Sequence, residues 1–180
     1  MRKVLTFVWE TAKIIIIALL IVVPIRYFVF QPFFVKGQSM DPTFENGDYL
    51  IVDELSYKFR APARGEVIVF KYPNDPSQRY IKRIIGLPGE TVEIQAGKII
   101  IFRADKNITL DEKYLPPNDL TLGDTKAVLG AKDYFVLGDN RLASSDSRRW
   151  GSLPRDNIIG RVILRAWPLN SIAAFGAYNY

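Results

Sequence analysis

Apolar residues fall into two regimes along the chain. The stretch AKIIIIALLIVVPIRYFVF, residues 12–30, is one almost unbroken run of 19 residues. As a helix it would span about 28 Å, close to the ~30 Å hydrocarbon core of a bilayer. Its uncharged centre, residues 14–25, is shorter, so Lys13 and Arg26 would have to snorkel toward the two interfaces, with Tyr27 and Phe28 suited to the outer one. A buried core helix and a cleaved secretory signal compete with this reading. The run is followed by Arg26, Tyr27 and Phe28 and by no small-x-small cleavage site, which favours an uncleaved anchor.

Beyond residue 31 the pattern changes to short apolar runs punctuated by Gly and Pro. GDYLIVDELSY, RGEVIVFKYP, RYIKRIIGLPGE, KDYFVLGDN and IIGRVILRAWP each read as a strand, and TVEIQAGKIIIF reads as a hairpin turning at Gly97. No long stretch of 3.6-residue periodicity follows the first run. DEKYLPPNDLTLGD, residues 111–124, is the most polar and turn-rich insertion, expected as a surface loop or an extended β-ribbon. The predicted class is mainly β, an antiparallel domain on one N-terminal membrane helix. The predicted segments are residues 1–11 as a cytoplasmic N-terminus, 12–30 as the anchor and 31–180 as an extracytoplasmic domain.

Charge sets the orientation. Arg2, Lys3 and Lys13 precede the apolar run and Arg26 is the near competitor after it, which places the N-terminus in the cytoplasm. Residues 1–30 carry four basic groups and one acid, a net of +3 out of the chain's +5, so residues 31–180 carry only +2. A nucleic-acid binder concentrates its charge on the folded domain, so no nucleic-acid partner is expected. The chain has no Cys and no His. Disulfides and thiolate catalysis are excluded, and a metal site would rest on carboxylates alone, so none is expected.

The chemistry begins at VKGQSMDPTF, where Ser39 sits just past the anchor. About eight or nine residues of chain hold it within roughly 30 Å of the bilayer. A serine needs a base, and without histidine the candidates are carboxylates and lysines. A lysine serves only when neutral, which requires its pKa to fall well below about 10.4, and burial does this. In RYIKRIIG, strand alternation would put Tyr80, Lys82 and Ile84 on one face and Ile81, Arg83 and Ile85 on the other, giving Lys82 apolar neighbours. Snorkelling from a sheet edge is the commoner fate of a strand lysine, and Lys36 and Lys58 are hard to exclude as rivals. A third stretch, GDNRLASSDSRRWGSLP, packs Asp, Asn, Arg and Ser into a loop. It reads either as a well-capped turn or as support that aims a lysine amine and holds its surroundings rigid.

Taken in order after one anchor, GQSMDPTF, GDYLIVDE, RGEVIVFKYP, RYIKRIIGLPGE and GDNRLASSDSRRWGSLP resemble the boxes of type I signal peptidases, membrane-bound serine endopeptidases that remove signal peptides from exported proteins. The short chain and single anchor are more similar to the Gram-positive and cyanobacterial branch than to the larger two-anchor enzymes. The resemblance implies Ser39 as nucleophile, with its backbone N–H in the oxyanion hole, and Lys82 as general base. It implies Ser144 as the hydroxyl that orients the lysine, with Arg83 and Asp139, and Asp146 and Arg148, as supporting ion pairs. It also implies pockets for an A-x-A motif lined by Phe33, Val35, Met40, Tyr80 and Ile81, and a fold of coiled antiparallel sheets. It implies no cofactor, signal-peptide-bearing preproteins and membrane lipid as partners, and a plasma-membrane location with the catalytic domain outside the cytoplasm. Two positions depart from the pattern. Gly37 stands where some members carry a serine that helps the oxyanion hole, a donor worth about 2.7–4 kcal/mol when removed. Leu142 and Ala143 stand where the last box is often polar. A self-cleaving Ser–Lys protease of the repressor type and a membrane-tethered β domain that only binds a partner are the competing readings.

Overall fold

The computed structural model describes the backbone of residues 2–28, 30–103, 106–117 and 120–180, and the side chains of these except residues 2, 5 and 21–30. The chain opens with helix α1, Arg2–Phe28, and then forms strands β1 (Phe30–Phe34), β2 (Tyr49–Asp53), β3 (Val67–Tyr72), β4 (Asp75–Gly86), β5 (Thr91–Gln95) and β6 (Lys98–Phe102). These are followed by β7 (Asn107–Thr109), β8 (Thr125–Val128), β9 (Asp133–Leu137), a one-turn helix α2 (Ser147–Trp150), β10 (Leu153–Pro154), β11 (Ile158–Trp167) and β12 (Ala173–Ala174). The helix begins well ahead of the expected anchor, and Phe30, expected to close it, opens β1 instead. The described large apolar side chains of α1, among them Ile14 to Ile17, Leu19 and Leu20, are exposed. Among the described residues no helix is long and apolar enough to cross a membrane. Half of the expected anchor, including Arg26, Tyr27 and Phe28, lies outside the described side chains.

The strands form two antiparallel sheets, one of eight strands in the order β1-β2-β11-β3-β4-β9-β10 with β12 on β11, the other of four in the order β7-β6-β5-β8. The antiparallel β class read from the sequence is what the chain adopts. Alternation of apolar and polar residues builds the smaller sheet. In β5 and β6, Val92, Ile94, Ile99 and Ile101 point inward and pack with Ile85, Phe135 and Leu137 of the larger sheet. The β5–β6 turn runs through Ala96 (φ 48°) and Gly97 (φ 79°), and two consecutive positive φ values suit a two-residue hairpin whose twist matches its strands. The described residues of 111–124 lie outside any strand, between β7 and β8, and these two short strands were not read from the sequence. Their residues alternate only weakly, and pairing with β6 and β5 rather than their own pattern makes them strands.

Two further clusters line the larger sheet. Val35, Met40, Phe44, Leu50, Val52, Val67, Val69, Ile81 and Val162 form one. Tyr57, Ile68, Phe70, Ile84, Tyr134, Val136, Leu153 and Ile158 form the other. Ile81 and Ile84 therefore face opposite cores, as the alternation in β4 requires. The position of β4 decides where the site falls. It pairs with β3 along its length, but its pairing with β9 starts only at Arg83 opposite Leu137. At Leu137 β9 ends and the chain turns away through Gly138. The outer edge of β4 is thus open up to Lys82, and the loop after β9 passes beside it.

Candidate active site

The serine enters this opening from the segment after β1. Gly37 has φ 92°, and its N–H donates to Asn46 Oδ1 (2.9 Å), which pins the turn that carries Gln38 and Ser39. A side chain at Gly37 would meet no atom within 4 Å, so the obstacle to a serine there is the left-handed backbone rather than space. Met40 and Phe44, fully buried, anchor the far side of the turn in the core. From the other direction, the Asn140 N–H donates to Ser39 O at 3.1 Å. That approach requires glycine at position 138, where a Cβ would fall 2.4 Å from Ser39 O and 2.2 Å from Ser144 Oγ.

Lys82 meets Ser39 here. Its Nζ lies 2.6 Å from Ser39 Oγ and 2.8 Å from Ile81 O, and the residue is only 3% exposed. The Tyr80 ring centroid is 5.7 Å from the amine. Burial lowers the lysine pKa to about 8, against the charges of Asp146 and Asp139, which favour the ammonium. At pH 8 about half of the amine is therefore free to accept a proton. As the ammonium it donates to Ser39 Oγ; as the amine it accepts from the Ser39 O–H at the same separation.

Two buried ion pairs frame the amine. Arg83 donates to both oxygens of Asp139, from Nε at 2.9 Å and from Nη2 at 2.6 Å, and its Nη1 donates to Gly65 O at 2.9 Å. Arg148 makes the same two-pronged contact with Asp146, at 2.8 Å on each arm. Asp146 also accepts the Gly138 N–H at 3.1 Å and caps α2 through the Arg148 N–H. Burial pushes the Asp146 carboxyl up, but the Arg148 contacts, with help from the Ser144 hydroxyl and the Gly138 N–H, hold it below the usual carboxylate range. Ser144 is buried, and its Oγ makes no hydrogen bond of good geometry; its hydroxyl acts on the Asp146 carboxyl rather than on Lys82.

The cleft containing Ser39 and Lys82 has a volume of about 550 Å³. Its walls are residues 32–34 of β1 on one side and residues 79–82 of β4 on the other, with Ala143 and Ser145 from the loop after β9. Phe33, Tyr80 and Ile81 reach this cleft. Val35 and Met40 do not; they are buried behind it in the core, at 2% and 1% exposure. Ala143, one of the two apolar departures, lines the wall, while Leu142 is exposed. Among the described residues, the Ser39 N–H has no backbone acceptor. No cluster of metal-ligating side chains occurs among the described residues.

Some of the machinery was not legible in the sequence. Arg141 is buried, donates to Gly138 O at 3.0 Å, and holds both oxygens of Glu112 at 2.7 and 2.6 Å, with further contacts to Thr121 and Tyr114 Oη. This ties the active-site loop to the polar insertion. Glu112 lies 29 positions away in a stretch read as surface, so no local signal marked it. Ser147, whose Oγ accepts the Val136 N–H at 3.0 Å, stapling the loop to β9, was likewise unmarked.

The signal peptidase model, described as "Signal peptidase, peptidase S26", matches residues 8–167. A signal peptidase I of Leptolyngbya laminosa is 41% identical over 93% of this chain and 83% of its own length. A probable signal peptidase I-1 of Synechocystis is 37% identical over 97% and 90%. A signal peptidase I of Bacillus caldolyticus is 38% identical over 87% and 90%. With the fold built around a serine and a buried lysine, a match of this extent shows that the chain belongs to the signal peptidase family, peptidase S26, as a serine protease of the type I signal peptidase kind.

Proposed function

We propose that this protein removes N-terminal signal peptides from exported preproteins by a Ser39–Lys82 dyad, cutting after A-x-A-type sites at the membrane surface. The observation that carries the reading is the 2.6 Å approach of a buried lysine amine to a serine hydroxyl in an open cleft. An extended precursor segment lies between the open edges of β1 and β4, where backbone hydrogen bonds give affinity and side-chain room gives selectivity. Phe33, Tyr80 and Ile81 crowd the cleft, so Ala-sized side chains enter and larger ones overlap. Neutral Lys82 takes the Ser39 proton as Oγ attacks the scissile carbonyl, and the Ser39 N–H binds the resulting oxyanion. The Lys82 ammonium then protonates the departing amine as the C–N bond breaks. The neutral amine next deprotonates a water, which attacks the acyl carbonyl and returns the proton to Ser39 through Lys82. Ser144, in the loop after β9, turns its hydroxyl to orient the amine once substrate has excluded water. The Arg83–Asp139 and Arg148–Asp146 pairs hold the loop in place. Val35 and Met40 shape the pocket floor from behind.

The same proposal sets residues 12–30 in a membrane as a single anchor, with residues 1–11 in the cytoplasm and residues 31–180 outside. The exposed apolar side chains of α1 support this, because nothing else in the described protein covers them. Purified full-length protein in lipid vesicles tests the reading, given a precursor with one A-x-A site and compared with Ser39→Ala and Lys82→Ala. Cleavage after the site by the unsubstituted protein alone is expected. Inert wild type, or Lys82→Ala cutting as well as wild type, would overturn the dyad and leave a tethered binding domain as the better reading.

A further inference from the structure

The segment formed by residues 176–180 lies far from Ser39 in sequence, and the dyad chemistry makes no use of it. It nevertheless ends against the back of the active site. The Tyr178 N–H donates to Gly65 O at 3.3 Å, and that same carbonyl accepts Arg83 Nη1. The fit is close, since a Cβ at Gly65 would fall 2.3 Å from Tyr178 O. The rings of Tyr114, Tyr178 and Tyr180 pack edge to face, with centroids 4.8, 5.0 and 6.1 Å apart. Tyr114 and Tyr180 also share a hydrogen bond between hydroxyls, 3.1 Å long. Arg83 stacks on this cluster, its guanidinium 4.1 Å from the Tyr114 ring centroid. The tail therefore closes the side of the Arg83–Asp139 pair that would otherwise face water, and Arg83 is the residue next to Lys82.

We infer that residues 176–180 are a strap that seals the Arg83–Asp139 pair and so keeps the Asp139 charge compensated beside the Lys82 amine, with Tyr178 and Tyr180 as positioning residues. The inference rests on Lys82 being the base. The groups facing that amine are the Ser39 hydroxyl, the Ile81 carbonyl, the Tyr80 ring, and the carboxylates of Asp139 and Asp146. Only the last two carry charge, and each is neutralised by an arginine. Removing the strap loosens Arg83 from Asp139, leaving that carboxylate less compensated. An uncompensated Asp139 favours the ammonium, so the acid limb of the pH–rate profile moves upward. General loss of stability would lower the active fraction at every pH without moving the midpoint.

The test is the pH dependence of kcat/KM for an A-x-A peptide, measured on full-length protein in detergent well below its melting temperature. The variants are Tyr178→Ala/Tyr180→Ala, Tyr180→Phe and Gly65→Ala. The double alanine variant is expected to raise the midpoint by about one pH unit, which is about a tenfold loss at pH 7, with KM nearly unchanged. Tyr180→Phe keeps the ring and is expected to keep the wild-type midpoint. Gly65→Ala pushes the tail away without touching a tyrosine and is expected to reproduce the upward shift, which keeps the test alive if the double variant fails to fold. A wild-type midpoint in the double alanine variant, or in Gly65→Ala when the double variant does not fold, would overturn the strap. Activity persisting in Lys82→Ala would instead overturn the dyad itself, so the two failures are distinct.

Discussion

A buried lysine is costly to a fold, and Lys82 makes the cost measurable. Its pKa is about 8 in the folded protein against 10.5 when solvated. The unfolded chain therefore binds more protons between these values, and stability rises with pH across that window. Below pH 8 the full penalty is present, about 3 kcal/mol at 1.36 kcal/mol per unit. Lys82→Met should abolish cleavage yet raise stability by up to that amount at pH 7, with the gain vanishing as pH approaches 10.5. Denaturant unfolding at pH 7 and pH 10 measures it, and equal gains at both would remove desolvation as the cause. Gly138 is the second residue on which the site turns. Gly138→Ala drives a methyl into Ser39 O and Ser144 Oγ, so cleavage should fall by about 100-fold, the size of effect expected from a displacement of about 1 Å. Steady-state kinetics with the fold checked by circular dichroism would read this. Residue type and strand alternation offered Ser39 and Lys82 only as candidates, with Lys36 and Lys58 as rivals, and the family resemblance singled them out. The glycine was not legible, because the sequence does not say how closely the loop after β9 approaches the turn after β1.

Strand β4 and the loop after β9 carry the site between them. Alternation along β4 correctly separates Ile81 from Ile84 and places Lys82 where it can be buried, since this requires only the two-residue repeat of a strand. What alternation cannot supply is the end of a neighbouring strand. Lys82 has its opening because β9 stops at Leu137, and that depends on pairing between segments far apart in the chain. Glu112 was hidden for the same reason: its partner Arg141 is met through tertiary packing. The two expected ion pairs of the loop were legible because their residue types lie in boxes with a recognisable order. Breaking one leaves a buried charge without its partner, which costs about 3–5 kcal/mol. Asp139→Asn, which leaves Arg83 buried and uncompensated, should therefore lower the melting temperature by about 10 °C or more. A scanning-calorimetry shift of only a degree or two would mean that Arg83 finds another partner.

At the scale of the whole molecule, one end of the larger sheet is apolar and open to solvent. Phe34, Tyr49 and Trp167 are register partners across β1, β2 and β11, and all three are exposed, with Leu169 and Ile172 exposed just beyond. The row includes Phe34 of the cleft wall, so a lipid surface met by this end would also meet the substrate-binding edge. Trp167→Ser combined with Leu169→Ser, neither of which lines the cleft, should lower cleavage several-fold in lipid vesicles while leaving activity on a short peptide in detergent within about twofold, the pattern of a lost interfacial contact. Equal loss in both media would place the defect in the cleft instead. The central claim remains that a buried lysine does what histidine does elsewhere, and its ionisation can be observed directly. Protein labelled with carbon-13 at the lysine ε-carbon, in detergent micelles, is titrated by NMR, with the Lys82 resonance assigned by its absence from Lys82→Met. A midpoint near 8, set apart from the other lysines and matching the acid limb of cleavage, is the predicted result. A Lys82 that titrates near 10.5 with the rest would be charged at every working pH, and could not be the base for Ser39.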